Sequence, residues 1–328
     1  MPRYSVYGHI LSTDIAFPEL RAAEGPPSWT LRRGDGEPPP KPGVEVGRDD
    51  VGAGVQATLV RTRDGFRLTF DDTGTFDVES GGGELLWYPR VDSDPELSRI
   101  DLLGRVLAVA AHMRGGVCLH GSAVSIEDSA VAFLAPKGYG KSTLALALVQ
   151  DGAKLMTDDT LPIDIGDTIS ARPGVHSVRL WRDSASHFEG LGQPRLSTSR
   201  KENFDALPDA WLMREARPLG AIYLLSPPTG GAGAPVVRRR LLAPIEATIG
   251  LVTHSKLGAL LGKEESGRVL VHVGTVTSRV PVYALEVTRD LPRVREAAAE
   301  IRGWHTPPER GAGLPAVASG PPGVVESP

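Results

Sequence analysis

The chain has 328 residues, enough for one large domain or two ordinary ones with a sizeable buried core. Its 36 basic and 40 acidic residues are spread along the sequence with a formal net charge of −4, which speaks against a nucleic-acid or membrane-surface partner. A single cysteine, Cys118, excludes an internal disulfide and any multi-cysteine metal site, and no apolar run is long enough to span a bilayer, so the expected location is the cytoplasm.

Short runs with strand character fill the N-terminal part, at residues 4–10, 55–60, 66–70 and 84–88. Phe66-Arg67-Leu68-Thr69-Phe70 alternates with period 2, and Asp64-Gly65 and Gly81-Gly82-Gly83 supply turns. Residues 1–92 are therefore expected to form a β-rich N-terminal module, with the proline-rich stretch 34–43 as a solvated loop. A helix is expected from Ser93-Asp94-Pro95-Glu96, where a cap residue and a first-turn proline precede Leu97, Ile100, Leu103 and Leu107 at helical spacing. Gly115-Gly116 ends it.

Two strands follow, 117–126 and 130–134, and the second runs straight into Ala135-Pro136-Lys137-Gly138-Tyr139-Gly140-Lys141-Ser142. Residues 143–150 read as a helix, and 153–157 as a short buried strand ending at Asp158-Asp159. Strand, loop, helix and strand in that order make a βαβ-like unit of an α/β core, placed in a domain spanning 93–304. Further strands are expected at 178–181, 221–225 and 236–242, and helices at 244–261 and 292–302. Residues 226–235 read as a loose connector, and 305–328, rich in Pro, Gly and Ala, as a disordered tail.

The glycine-containing loop has the composition of a phosphate cradle, in which backbone N–H groups meet phosphate oxygens at the positive end of the following helix. The residues expected to hold a nucleoside triphosphate are Pro136, Lys137, Gly138, Tyr139, Gly140, Lys141, Ser142 and Thr143. Lys141 would bridge the β- and γ-phosphates, and the Ser142 hydroxyl would ligate Mg²⁺. The usual pattern opens with glycine; Ala135 stands here, which can start the turn where φ stays negative. Of the two aspartates, one can hold Mg²⁺ and the other can orient or deprotonate an attacking hydroxyl, since neighbours on a strand face opposite ways. His120, taken alone, reads as a hydrogen-bonded core histidine.

Residues 118–163, reading CLHGSAVSIEDSAVAFLAPKGYGKSTLALALVQDGAKLMTDDTLPI, resemble the catalytic core of HPr kinase/phosphorylase. The shared features are a His-Gly, a phosphate loop, a helix, and an Asp-Asp followed shortly by an aliphatic residue. The resemblance implies a P-loop HPr-kinase-like α/β core with a mixed sheet, acting as an ATP- and Mg²⁺-dependent serine kinase. It implies His120, Lys141 and Asp159 as active-site residues, with Asp159 taking the proton from the acceptor serine. Ser142 becomes a Mg²⁺ ligand, and Asp158 assists there. The family's second signature is represented only by Ser170-Ala171-Arg172-Pro173-Gly174-Val175, without its glutamate. With that gap and a different N-terminal module, the expected acceptor is a peptide or small protein bearing a serine hydroxyl rather than HPr itself.

Tyr7-Gly8 with Pro18-Glu19-Leu20, and Pro173-Gly174 with Arg179-Leu180-Trp181, are similar to HPr-kinase-related proteins of biosynthetic clusters, some of which phosphorylate a serine of a lasso-peptide precursor. Arg200, Lys201, Arg214 and Arg217 lie where such an enzyme needs a cation, although a solvated basic face is the favoured account of them. Arg217 is carried as a catalytic candidate because it shortly precedes the 221–225 strand, as a family arginine does. A homo-oligomer is compatible with all of this. Two other readings stand beside the kinase: a nucleotide hydrolase or switch, and a binding scaffold with a vestigial loop. A guanine-specific switch is disfavoured, because the only asparagine, Asn203, sits in Glu-Asn-Phe-Asp rather than in a guanine-reading motif.

Overall fold

Turn chemistry organises the N-terminal part. In the computed structural model, which describes residues 1–52, 54–197, 201–227 and 235–306, nine strands build one sheet. They are β1 (Arg3–Val6), β2 (His9–Thr13), β3 (Arg21–Ala22), β4 (Trp29–Arg33), β5 (Gly43–Gly52), β6 (Val55–Thr62), β7 (Gly65–Phe70), β8 (Gly74–Glu79) and β9 (Glu84–Pro89). Their order is β3-β1-β2-β4-β9-β8-β7-β6-β5, and β5 to β9 form an antiparallel meander.

The run 4–10 is a hairpin rather than one strand. Tyr7 and Gly8 have φ of 54° and 70°, the left-handed pair of a two-residue hairpin turn, so the chain reverses there. Strands β4 and β8 alternate apolar and polar residues, as in Trp29-Thr30-Leu31-Arg32 and Phe76-Asp77-Val78-Glu79, a signal the sequence reading passed over. β5 is a largely exposed edge, and β8 is buried on both faces except at its last residue.

The expected helix after residue 93 is present but interrupted. α1 (Pro95–Asp101) passes into a π-helical turn, Leu102–Val106, and then into α2 (Leu107–Met113). Asp94 caps it, its carboxylate accepting the Glu96 N–H at 2.7 Å. In the π-helical turn, the hydroxyl of buried Tyr7 donates to the carbonyl of Leu103 at 2.5 Å and of Gly104 at 3.3 Å.

Beyond it run β10 (Val117–Ile126), β11 (Ser129–Leu134), α3 (Lys141–Gln150), β12 (Lys154–Ile165), β13 (Ile169–Ala171), β14 (Val178–Trp181), α4 (Arg182–Ala185), β15 (Leu196–Ser197) and β16 (Lys201–Phe204). Then come β17 (Arg217–Ser226), β18 (Val237–Leu241), α5 (Pro244–Thr253), α6 (Lys263–Arg279), β19 (Val282–Val287) and α7 (Val294–Gly303). A seven-stranded mixed sheet has the order β11-β10-β12-β13-β17-β19-β18, and β14-β16-β15 form a small third sheet. β11 also pairs in parallel with β17, so the strands β11, β10, β12, β13 and β17 close into a ring. β10 is antiparallel to both β11 and β12, which makes those two parallel, with α3 crossing between them.

Three expectations need correction. β12 does not end at the aspartates; it runs for 12 residues through them, because β10 pairs with it on both sides of Asp158 and Asp159. The helix expected at 244–261 stops at Thr253, and the next residues pair with β10 instead: the His120 N–H donates to the His254 carbonyl at 2.7 Å, and the Lys256 N–H to the Cys118 carbonyl at 2.9 Å. α6 and β19 lie outside the expected elements; the β-branched Val and Thr residues of α6 weaken its helical signal, yet Val269, Val273 and Val276 form a buried stripe at helical spacing. Of the expected tail, His305 and Thr306 continue from α7, and the Tyr223 hydroxyl meets His305 Nε2 at 2.8 Å; residues 307–328 lie outside the described residues. The connector 226–235 lies mostly outside them too.

One apolar cluster passes from the nine-stranded sheet (Trp29, Leu31, Leu68) through Leu103 and Val106 to Leu119, Leu134 and Met156 of the seven-stranded sheet. A second one packs Leu144 and Leu148 of α3 and Ile301 of α7 against Phe133 and Tyr223. Among the described residues, no helix is long and apolar enough to cross a membrane.

Candidate active site

The loop between β11 and α3 owes its shape to two glycines. Gly138 and Gly140 have φ of 91° and 85°, a conformation open to glycine and strained for other residues. Lys141, the first residue of α3, is buried and turns back over the loop, its Nζ donating to the carbonyls of Ala135 at 2.8 Å and Pro136 at 3.3 Å. Burial lowers its pKa, and Asp158 and Asp159 oppose that shift.

Asp158 is buried and faces the loop. Its Oδ1 accepts from the Ser142 hydroxyl at 2.9 Å and, by a short bond, from the Ser122 hydroxyl; its Oδ2 accepts the Arg179 N–H at 3.2 Å. Asp159 faces the other way and is 44% exposed. Its φ of 92° is rare for a residue with a side chain, and its backbone carbonyl meets His120 Nδ1 at 3.1 Å. That contact puts the imidazole proton on Nδ1, which also lies 3.3 Å from Asp159 Oδ1.

A residue unmarked by the sequence reading completes the site. Lys256, only 8% exposed, places Nζ 2.5 Å from Asp159 Oδ2. Desolvation pushes the Asp159 carboxyl up, but Lys256 and His120 together outweigh it and hold the group well below the usual carboxylate range. Lys256 arrives because β11 leaves β10 at the level of Gly121, freeing the lower edge of β10 for residues 254–256. His254, in the same segment, has its pKa lowered to about 4 by burial, with Lys141 and His120 adding to the effect.

Gly121 explains why a glycine follows His120. It stands opposite both Asp159 and Leu134, and a Cβ there would lie 2.3 Å from Leu134 Cδ2 and 2.7 Å from the Phe133 carbonyl oxygen. Gly174 plays a matching part behind the aspartates, where a Cβ would fall 2.1 Å from Thr157 Oγ1. The residues 170–175 thus pack beside the site, although no glutamate comes with them.

The candidate cations separate. Lys201 stands over the Trp181 ring at 5.0 Å, and its pKa is lowered first by burial and then by neighbouring Lys137. Arg179 acts on Lys201 in the same sense, and its backbone N–H donates to Asp158. Arg214 pairs with Asp209 at 2.8 Å, and Arg200 lies outside the described residues. Arg217 does not join the cluster. β17 runs parallel to β11 with Leu224 level with Leu134 and Leu219 with Ala130, so Arg217 sits at the far end of β11, roughly 20 Å from the loop. It meets Glu215 at 3.3 Å, and its buried Nε has no hydrogen-bond partner.

For a divalent cation, the described residues hold no group of three or more His, Cys, Asp or Glu side chains. Ser142 Oγ and Asp158 Oδ1, two oxygens 2.9 Å apart at the start of α3, fit instead the way Mg²⁺ is held by one carboxylate, a hydroxyl and the oxygens of a bound phosphate.

No family model matches the chain, and no curated protein matches it. Among solved structures the chain is similar to the HPr(Ser) kinase/phosphatase from Coxiella burnetii, at 14% identity and a TM-score of 0.31, covering 57% of this chain and 97% of that one. At that score the likeness is weak.

Proposed function

We propose that the chain is an ATP-dependent kinase that phosphorylates a serine or other hydroxyl of a peptide or small protein. The observation that carries this reading is the division of labour between two adjacent carboxylates. Asp158 is tied to Ser142 at the start of α3, whereas Asp159 turns away from the loop, ionised and half open to solvent. A second, separately held carboxylate facing an accessible cleft is suited to orient an incoming hydroxyl and to take its proton.

In this reading the backbone N–H groups of residues 136–143 and the Lys141 ammonium hold the triphosphate, and Lys141 exchanges its present carbonyl partners for phosphate oxygens. Mg²⁺ would be held by Ser142 and Asp158 and would neutralise charge on the phosphates. Lys137, Lys201 and Arg179 add positive charge near the transferring group, the part for which Arg217 lies too far away. The acceptor oxygen forms its bond to the γ-phosphorus as the bond to the β,γ-bridging oxygen breaks. ADP leaves with that electron pair, and the hydroxyl proton passes to Asp159.

Lys256 and His120 make Asp159 a weak base in the resting enzyme. It therefore orients the hydroxyl and takes the proton late, as suits a loose transition state in which little proton removal is needed early. Addition of ATP·Mg²⁺ is expected to raise the melting temperature of the protein, and Lys141→Ala to abolish that rise together with transfer. Asp159→Asn should keep the rise and lower transfer by roughly 10²–10⁴-fold. A melting temperature indifferent to ATP·Mg²⁺ would instead favour a scaffold with a vestigial loop.

A further inference from the structure

Beside the two aspartates lies a cleft bordered by Asp158, Asp159, Arg179 and Asn203 and also by Glu19, Leu103 and Gly104. The last three belong to neither the loop nor the strands that carry the aspartates. Glu19 comes from the segment after β2, and Leu103 and Gly104 from the π-helical turn whose carbonyls Tyr7 holds. Glu19 and the π-helical turn thus form one wall of the space in front of Asp159.

Two hydrogen-bond acceptors in this cleft lack a donor. Glu19 Oε2 is buried without a partner on a side chain 4% exposed, while its Oε1 meets Arg99 Nε at 3.1 Å. Asn203 Oδ1 is likewise buried and unpartnered, on a residue 5% exposed. Buried acceptors are ordinarily satisfied, and two around one opening beside an ionised carboxylate call for a ligand that brings donors. Arg179 and Arg195 line the same cleft, so it is no anionic sink for a basic segment; two of its lining residues carry unsatisfied acceptors.

We infer that this cleft is the acceptor site and that it selects a hydroxyl whose carrier also presents N–H donors beside it, the arrangement of serine with its own nitrogen. Glu19 and Asn203 take those donors while Asp159 takes the hydroxyl. This rests on the kinase reading of Asp159. The nitrogen has two possible sources, the free ammonium of an amino alcohol or the amide N–H of a serine within a peptide.

The test uses the full chain with ATP·Mg²⁺ and three probes that share a carboxamide: serinamide, N-acetylserinamide and 3-hydroxypropanamide, which lacks only the α-nitrogen beside the hydroxymethyl group. Phosphorylated product is measured by mass spectrometry, and nucleotide binding in parallel by thermal shift. One or both of the probes with an α-nitrogen are expected to exceed 3-hydroxypropanamide in kcat/KM by at least tenfold. The better of the two identifies the source, free amine or peptide amide. Glu19→Gln should lower kcat/KM about tenfold for the preferred probe and leave the ATP shift intact. Because Glu19 also anchors Arg99, Ile100→Trp provides a second variant, narrowing the cleft from α1 without touching that pair. Equal kcat/KM for the three probes, transfer unaffected by Ile100→Trp, or no transfer to any probe while ATP·Mg²⁺ still binds overturns the acceptor assignment and leaves the kinase reading standing. Absence of an ATP shift overturns both.

Discussion

Lys256 Nζ lies 2.5 Å from Asp159 Oδ2 across 97 residues of sequence, and the pair fixes which way the exposed carboxylate points. An ammonium so placed lowers the proton affinity of the carboxylate while leaving its other oxygen, beside His120, open to the cleft.

Replacing Lys256 by Met removes the charge that does most to hold the Asp159 pKa down, so that pKa rises. Activity that needs ionised Asp159 is then lost at a higher pH than in the wild type as the medium is acidified. The acid limb of the kcat/KM profile should move upward, and kcat at its plateau should fall about 10²-fold from loss of positioning. An acid limb that stays in place would remove Lys256 from the proposed mechanism. Lys256→Arg should restore most of the profile.

Gly121→Ala places a methyl group 2.3 Å from Leu134 Cδ2 and 2.7 Å from a backbone oxygen. The side chain of Leu134 can turn aside, but the Phe133 carbonyl belongs to a paired strand and cannot. Urea unfolding should show a loss of about 1–3 kcal/mol, the usual range for overpacking. Transfer should fall with it, because the same shift moves Asp159 against the loop.

Tyr7→Phe tests the joint between the N-terminal hairpin and the π-helical turn. Burial pushes the Tyr7 phenol well above its usual pKa, so it stays a donor at every working pH. Without the hydroxyl, the carbonyls of Leu103 and Gly104 lose a buried partner, for an expected loss of about 1–3 kcal/mol in denaturant unfolding. The acceptor KM should rise while nucleotide binding stays constant, since the turn lines the cleft and not the loop.

Asp101, at the entry to that turn, supplies a pH signature. Burial raises its carboxyl to about 6, with the Thr73 hydroxyl, donating at 2.7 Å, opposing the shift. A carboxyl with a raised folded-state pKa binds its proton more tightly when folded. Its contribution therefore favours folding at low pH and is lost as pH rises from 3.8 to about 6. Asp101→Asn should cancel this component: the difference between variant and wild-type stability grows over that interval and is constant above it. Unfolding curves collected across the interval measure it directly.

Much of the loop and its flanking elements was legible because their signals are local. Gly138 and Gly140 advertise positive φ, residues 143–150 are helix formers after an apolar strand, and the adjacent aspartates follow one helix and one strand later. Backbone sterics and short-range periodicity act over a few residues, so they show in the letters. The β-rich character of residues 1–92 was visible for the same reason, through period-2 alternation and turn glycines, but β5 was not: an exposed edge strand buries neither face and needs no alternating pattern.

The sequence by itself thus determined the loop, its helix and the presence of a carboxylate pair at a fixed offset. Only the tertiary structure decided that Lys256 meets Asp159, that Arg217 lies at the wrong end of its strand, and that Glu19, Asn203 and the π-helical turn border the site. Those outcomes depend on which strand edge a distant segment occupies. β11 leaves β10 at Gly121, and the freed edge is taken by residues 254–256, which ends α5 early and delivers the lysine. Edge pairing of this kind is satisfied by backbone N–H and C=O groups, which every residue carries, so no side-chain pattern in Thr253-His254-Ser255-Lys256 announces it.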